Sequence, residues 1–594
     1  MVNYKIKYSQ PHKHILEMEA TFLPNGSNIR ELQLAAWRPG RYELQNYAQN
    51  ILNFQAKNEQ DQLLLVTKTN RNTWQITSDG KEKMIVTYKY YAKQMDAGGS
   101  WLDEEMIYLN FINFVLKDKV DDKSKYHVLI KSSNTFSIAC SLKNTRNDEW
   151  LALEPADYYT LSDSPFLAAK NMLSRSIEIN NIKVEVCISG LNTTPPDQLF
   201  IDFQKFCESQ IKLFKSFPTS EYCFIIIILP YPHYHGVEHQ SSTVIVLGNN
   251  EAAIDQALYK SLMGISSHEF FHAWNICQIK PQELVSKDFS KEIYFDSCFI
   301  AEGITTYYGD LMLLRSGVWD LNSYLVELSD NLQKHMNNQG RNYASLAQSS
   351  IDLWVDGYKT SPPGRKVSVY DKGALVAFIL DMNIRISAHN KLSLDNVMQK
   401  MYTQFNANSN KGYTISSFKN LLEHVCNSSF DTFFEQCIYG IVPLEMILAR
   451  AASWIGIDLI VSVSDKLYEH QFGLKVKTID NQCVVYDIHP GSPADKILDI
   501  GDKIVKINRN EVKESVGKLL DNVAMAEISI IRNGKSITKT VIKDGGSYFM
   551  NYKFQPKANP TEAQIQAMEM WKEGDIKSPS VLSVSLRPST NNQK

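Results

Sequence analysis

The hydrophobic period of this 594-residue chain changes twice, and that double change most limits the folds open to it. Up to about residue 165 the runs Tyr4-Lys-Ile-Lys-Tyr8, Met84-Ile-Val-Thr-Tyr-Lys-Tyr-Tyr91 and Tyr126-His-Val-Leu-Ile130 alternate, with turn clusters such as Pro24-Asn-Gly-Ser-Asn28 between them. Period two with frequent turns predicts an antiparallel β-domain of sandwich type. From about residue 197 the period becomes helical: Leu199, Phe203, Phe206 and Ile211 share one face. Phe224-Ile-Ile-Ile-Ile-Leu229 then reads as a buried strand closed by Pro230. Helical patterns over 252–276, 302–314, 323–336, 372–388, 394–402, 415–425 and 430–437 make the section to about 450 mainly helical, with a small β element near its start. Strand-like runs return from Phe472 to Val541, with short helices expected at 494–498 and 514–522. The expectation is a multidomain chain: β-domain 1–165, mainly α domain 166–452, β-rich domain 453–545, and a partly helical tail 546–594. Within that tail a helix over 560–572 is expected to dock, and the polar end to fray.

Sixty-two Lys plus Arg against 65 Asp plus Glu leave a net charge of −3, which gives no electrostatic ground for a nucleic-acid partner. The first residues lack the basic start and apolar core of a signal peptide, and the apolar runs fall far short of the roughly 20 residues that span a bilayer. A cytoplasmic protein without membrane partners is the expectation. Nine scattered cysteines, odd in number and without a C-x-x-C pair, read as buried reduced thiols rather than a disulfide framework or thiolate metal site.

The chemistry concentrates in Ser267-His-Glu-Phe-Phe-His-Ala-Trp-Asn275. His268 and His272 are four apart and share a helical face, so both imidazoles can meet one ion, with Glu269 beside a water on it. Two surface histidines and a solvated glutamate are the bland alternative. The flanking Phe270, Phe271, Ala273 and Trp274 argue against it, because they make the helix a buried one. A third ligand is needed, and Glu302, a carboxylate in the apolar run Phe299-Ile-Ala-Glu-Gly-Ile-Thr-Thr-Tyr-Tyr, is the best candidate. The ion would acidify its water and polarise a carbonyl, and Glu269 would move the proton. Tyr370 in Val369-Tyr-Asp-Lys-Gly is a candidate for oxyanion support, or else a core tyrosine. In Tyr231-Pro-His-Tyr-His-Gly-Val-Glu-His-Gln240, Gly236 followed by Glu238 on an exposed stretch would present a carboxylate to a substrate ammonium. Without the metal motif, a solvated loop carboxylate is the better reading. His233, His235 and His239 are read as ordinary polar loop residues rather than a second metal site.

In their order, these motifs resemble the glycyl aminopeptidase family of zinc metallopeptidases that carry a PDZ domain. Those proteins are gluzincins with a thermolysin-like catalytic domain behind an N-terminal β-domain. Trp37-Arg-Pro-Gly-Arg-Tyr42 is similar to the family's Trp-x-Pro-Gly-x-Tyr stretch. The resemblance implies one Zn2+ per chain on His268, His272 and Glu302, with Glu269 as general base. It further implies Glu238 as anchor of the free α-amine, Tyr370 as transition-state support, and a preference for small N-terminal residues such as Gly or Ala. Two stretches depart from the family pattern. Cys277-Gln-Ile-Lys-Pro281 lacks the usual basic residues, and His235-Gly-Val-Glu-His239 replaces Gly-Gly-Leu-Glu-His. The C-terminal section resembles a bacterial-type PDZ domain, with Phe472-Gly473-Leu474 where the carboxylate-binding loop belongs. Its groove would take a C-terminal peptide as an added strand, or be filled in cis.

The leading reading is a zinc aminopeptidase acting on peptides with a free N-terminus. The alternatives are a zinc endopeptidase and a non-catalytic PDZ scaffold, and the chain is compatible with a homo-oligomer.

Overall fold

The computed structural model describes residues 1–574 apart from 121–123, 360, 407–408, 513–515 and 522. The alternating runs at the start build a seven-stranded sheet whose centre is Tyr126–Lys131, Val2–Lys7, Ile15–Phe22 and Met84–Tyr91. A four-stranded sheet containing Ile29–Gln33 and Thr73–Thr77 faces it. Leu32, Trp74 and Ile76 from the smaller sheet share a core with Tyr4, Met18, Val86 and Val128 of the larger, which is the sandwich expected. The domain is not purely antiparallel. Val2–Lys7 pairs with Tyr126–Lys131 in parallel, because strands so far apart in sequence are not held to the direction a tight hairpin imposes.

The β element of the catalytic domain is larger than predicted. Five strands run in the order Met172–Ile179, Ile182–Ser189, Glu221–Leu229, Ser242–Gly248 and His233–Glu238. The unbroken apolar run at 224–229 now has its reason: both faces of this sheet are covered. Phe224, Ile226 and Ile228 pack among the helices, while Ile225 and Ile227 pack against Tyr108, Leu167 and Ala169 of the N-terminal domain. The sheet is therefore the shared wall of the two domains. Its edge strand His233–Glu238 corrects the exposed loop expected there. Gly236 within it and Pro230 and Pro232 before it weaken its strand signal, and pairing with Ser242–Gly248 decides its conformation.

The helix carrying His268 and Glu269 spans Gln256–Phe271 and is capped by the Asp255 carboxylate, which accepts from the Leu258 N–H at 2.7 Å. Glu302 sits in a single π-helical turn, Phe299–Gly303, that opens the helix Ile304–Arg315. Such turns displace one residue from the helical register and are frequent at functional sites. Tyr370 stands just before the helix Asp371–Ser387. That helix crosses the π turn at Gly303 and Gly373, where a Cβ on Gly303 would lie 2.5 Å from the Gly373 Cα, so neither position admits a side chain. The helices Leu346–Asp356 and Glu445–Trp454 were not predicted.

Leu474–Ile479, Gln482–Ile488, Lys503–Ile507, Met525–Arg532 and Lys535–Ile542 form the C-terminal sheet around a separate core. Phe472 ends a short helix, Leu467–Phe472, instead of starting the strand. Residues 494–497 form turns rather than a helix. The chain then returns to the catalytic domain. Asn551–Pro556 pairs with Ile457–Ser462, and the helix Glu562–Glu573 docks with Trp571 wholly buried. The Trp571 indole N–H donates to the Tyr307 hydroxyl at 3.0 Å, and Tyr307 in turn donates to Asp381 at 2.6 Å. The polar tail expected to fray, beyond residue 574, lies outside the described residues. No described helix is long and apolar enough to cross a membrane.

Trp571 therefore braces the helix that follows Glu302 from behind. Trp571→Ala is expected to cost about 3–5 kcal/mol, read as a lower denaturant midpoint for the catalytic domain.

Candidate active site

His268 Nε2 and His272 Nε2 lie 3.1 Å apart, and Glu302 Oε2 is 3.8 Å from the first and 3.4 Å from the second. Ligands at the usual 2.0–2.1 Å from a tetrahedral zinc lie roughly 3.3–3.4 Å from one another, so the three atoms have the spacing one ion requires. The orientation of each donor is set by a second contact. The Asn275 carbonyl can only accept, so His272 Nδ1–H donates to it at 2.7 Å and Nε2 faces the cluster. Asn275 also clamps the two helices together: its side-chain amide donates to the Ile300 and Ala301 carbonyls at 2.8 and 3.1 Å. On the Glu302 side, the Tyr42 hydroxyl donates to Oε1 at 2.9 Å, leaving Oε2 for the cluster. Tyr42 comes from the N-terminal domain, and this contact had no signal in the sequence beyond its motif.

Three carboxylates crowd this buried space. Glu238, Glu269 and His272 also bring donor atoms within 4.8 Å of one another. Burial pushes Glu238 up to about 7, with Glu302 adding to the shift and His272 opposing it. Burial also lifts Glu269 well above the ordinary carboxylate range, against the pull of His272 and with Glu238 adding to it. Glu302 is held down at about 2 because His272 and His268 outweigh the burial cost. Against its own burial, His272 is raised to about 10 by Glu302. Glu238 Oε1 and Glu269 Oε2 are buried without a hydrogen-bond partner among the described residues. The site is short of positive charge. A divalent cation on two imidazoles and a carboxylate fits that deficit, and the donor set suits zinc.

The other predicted residues surround this cluster. Gly236 lies on the edge strand against Glu269, and a Cβ there would strike the Glu269 carboxylate. Glu238 ends the same strand and is 5% exposed, so it is neither on an exposed stretch nor a solvated loop carboxylate. The Tyr370 ring centroid is 6.4 Å from that of His268, and its hydroxyl is 3.3 Å from that of Tyr358. Tyr358 was not anticipated, since it precedes a turn-rich stretch without a motif. The strand histidines have separate duties. His239 is buried, accepts from the Arg38 guanidinium at 2.8 Å and donates to Asp163 at 3.0 Å, whereas His235 Nδ1 accepts the Ala97 N–H at 3.2 Å.

At the C-terminal domain, the Gly473 N–H donates to the Glu469 carbonyl at 3.1 Å, while Phe472 and Gly473 carbonyls accept from Ala494 and His489. Gly473 adopts φ 67°, the left-handed turn that ends its helix. Leu474 opens a strand paired only with Gln482–Ile488, so its outer edge is free among the described residues. Tyr548 and Phe549 pack on the His489 ring beside this loop, with the Lys475 ammonium 4.4 Å from the Phe549 ring centre.

Comparison with known proteins places these features. Residues 3–170 match the Peptidase M61 N-terminal domain, 261–376 the M61 glycyl aminopeptidase, and 461–526 the PDZ domain. Among solved structures, the chain is similar to an aminopeptidase N family protein from Idiomarina loihiensis, at 23% identity and TM-score 0.88, over 96% of this chain and 100% of that one. It aligns more loosely with an M1 zinc metallopeptidase from Deinococcus radiodurans, at 13% identity and TM-score 0.43, over 71% of this chain and 89% of that one. No curated protein matches the sequence. The class is that of a metallopeptidase. More narrowly, the N-terminal and metallopeptidase segments match the M61 glycyl aminopeptidase family, and a third segment matches the PDZ domain.

Tyr42→Phe removes one hydrogen bond to Glu302 and no packing. It is expected to weaken metal binding by about ten- to a hundredfold with the fold retained. Competition against a chelator of known affinity measures this, and unchanged affinity would rule out the orienting role.

Proposed function

We propose that this protein removes N-terminal residues from peptides with a free α-amine, using one zinc ion per chain held by His268, His272 and Glu302. The observation that carries the reading is Glu238: a buried carboxylate with an oxygen unpartnered among the described residues, beside the candidate ligands. A substrate ammonium placed there supplies the missing counter-charge through a charge-assisted hydrogen bond and fixes which peptide bond reaches the metal. An internal segment of a polypeptide has no such charge to offer. The resemblance to the family implies small terminal residues, Gly or Ala.

When bound, zinc supplies an acidified water and a polarised scissile carbonyl. Glu269 takes the proton of the attacking water and returns it to the leaving amine. The Tyr370 hydroxyl, steadied by Tyr358, donates toward the developing oxyanion. Gly236, bare of side chain, lets a peptide lie against the edge strand without displacing Glu269. The PDZ domain suggests a second peptide contact. Its open strand edge is suited to strand addition, while the packing of Tyr548 and Phe549 beside the loop supports occupation in cis.

Glu269→Gln is expected to lower kcat by about 10²–10⁴-fold while metal analysis still finds about one ion per chain. A fully active variant would remove Glu269 from the mechanism. For the amine anchor, Ala-nitroanilide should be hydrolysed and its N-acetylated form should not. Equal cleavage of the two makes the protein an endopeptidase, and no cleavage of any peptide by metal-loaded protein favours the scaffold reading.

A further inference from the structure

The cysteines look scattered along the chain, but the sheet shared by the two domains brings two of them together. Cys187 lies on the strand Ile182–Ser189 and Cys223 on its parallel neighbour Glu221–Leu229. Glu185 stands directly opposite Cys223 in the register, and Cys187 is two residues further along the Glu185 strand. Side chains two apart on a strand share a face, so the three form a triangle on one side of the sheet. It is the side turned to the N-terminal domain, where both cysteines pack with Ala139, Leu167 and Ala169. The peptidase helix lies against the other side, with its Phe270 ring stacked on Phe224.

We propose that Glu185, Cys187 and Cys223 bind a thiophilic divalent cation of the zinc class, at a site separate from the peptidase cluster. One donor atom from each residue, two sulfurs and a carboxylate oxygen, lie within 4.8 Å of one another. With Zn–S near 2.3 Å and Zn–O near 2.1 Å, a tetrahedral site sets its sulfurs roughly 3.8 Å apart and sulfur to oxygen roughly 3.6 Å. The donors therefore need to close by about 1 Å at most, which small side-chain rotations supply. Two thiolates select a soft or borderline cation over magnesium or calcium, which take oxygen ligands.

The protons on these groups fit a displaceable cation site. Cys187 is held below the usual thiol range, chiefly because the Cys223 thiol donates toward it; burial opposes this and the Ser174 hydroxyl assists. The same contact, together with burial, pushes Cys223 up. The pair thus shares a proton where an ion would sit, and metal binding at thiols proceeds by releasing such protons. Ser174 faces Cys187 from the edge strand, with its hydroxyl 3.5 Å from the Cys187 Sγ. It is exposed, so this side offers the approach and the remaining corner of the tetrahedron. The Lys183 ammonium lies 2.6 Å from Glu185 Oε1. A half-exposed pair of this kind contributes little, and a carboxylate has two oxygens with which to serve both partners. An ion held here would tie two strands of the shared wall together beneath the N-terminal domain.

The test adds Co2+ to the full chain already loaded with one zinc, in a thiol-free phosphine reductant. Thiolate-bound cobalt shows a near-ultraviolet sulfur-to-metal charge-transfer band. Imidazole and carboxylate ligands give no such band, so exchange into the peptidase cluster stays silent. About one further equivalent of cobalt is expected to bind with this band, and added zinc to remove it. Cys187→Ser and Cys223→Ser are each expected to lose at least half of the band, whereas Cys426→Ser, outside the triangle, keeps it. Wild-type protein without the band overturns the proposal, as does a band that both serine variants retain in full. Should a serine variant fail to fold, Glu185→Gln is read instead: the band is expected only at higher cobalt concentration, and an unshifted titration overturns the site. None of these readings uses peptide hydrolysis, so the peptidase reading stands or falls separately.

Discussion

Charge taken out of water governs this structure. Three glutamates and two histidines, most of them buried, converge at the wall of one cavity, and such groups are tolerated only where something returns the solvation they lose. His272 gains an Asn275 carbonyl, and Glu302 gains the Tyr42 hydroxyl. The remaining deficit of positive charge is what the proposed function fills, with a divalent cation at the two imidazoles and Glu302 and an ammonium at Glu238. The chemistry assigned to the site is thus a consequence of how its charges were buried.

The domains are coupled through the same constraint. The N-terminal sandwich does more than cover one face of the catalytic sheet. Its loop from Trp37 to Tyr42 orients a candidate metal ligand, crowds Glu238 at Gly40, and holds His239 through Arg38. From the opposite side, the C-terminal helix places Trp571 on Tyr307, one turn beyond Glu302. The helix bearing Glu302 is gripped between segments several hundred residues apart in sequence. A site spaced to a few tenths of an ångström needs bracing of this kind.

Much of the site was legible because helices carry their spacing in the sequence. The four-residue interval from His268 to His272 fixes a shared face, and Glu302 stands out as a charge in an apolar run. Tyr370 sits in a recognisable motif. Glu238 was picked out, but its surroundings were misread, since Pro230, Pro232 and Gly236 signal a loop and the strand forms only because Ser242–Gly248 pairs with it. Of the other four strands, only Met172–Ile179 and His233–Glu238 lie at the edges; Ile182–Ser189 and Ser242–Gly248 are interior, and their apolar residues carried a strand signal that was not read. The orienting role of Tyr42 was invisible because its partner Glu302 lies 260 residues away, and Tyr358 stands in no motif.

By itself the sequence determined the domain order, the periodicity of most layers and the identity of the main candidate site residues, because these are local properties of neighbouring residues. The tertiary structure alone decided which carboxylate is shielded, which hydroxyl holds Glu302, and where cavities open beside Glu238. Those outcomes depend on distances between segments that only chain closure sets, and electrostatic energy in a buried site changes steeply with such distances.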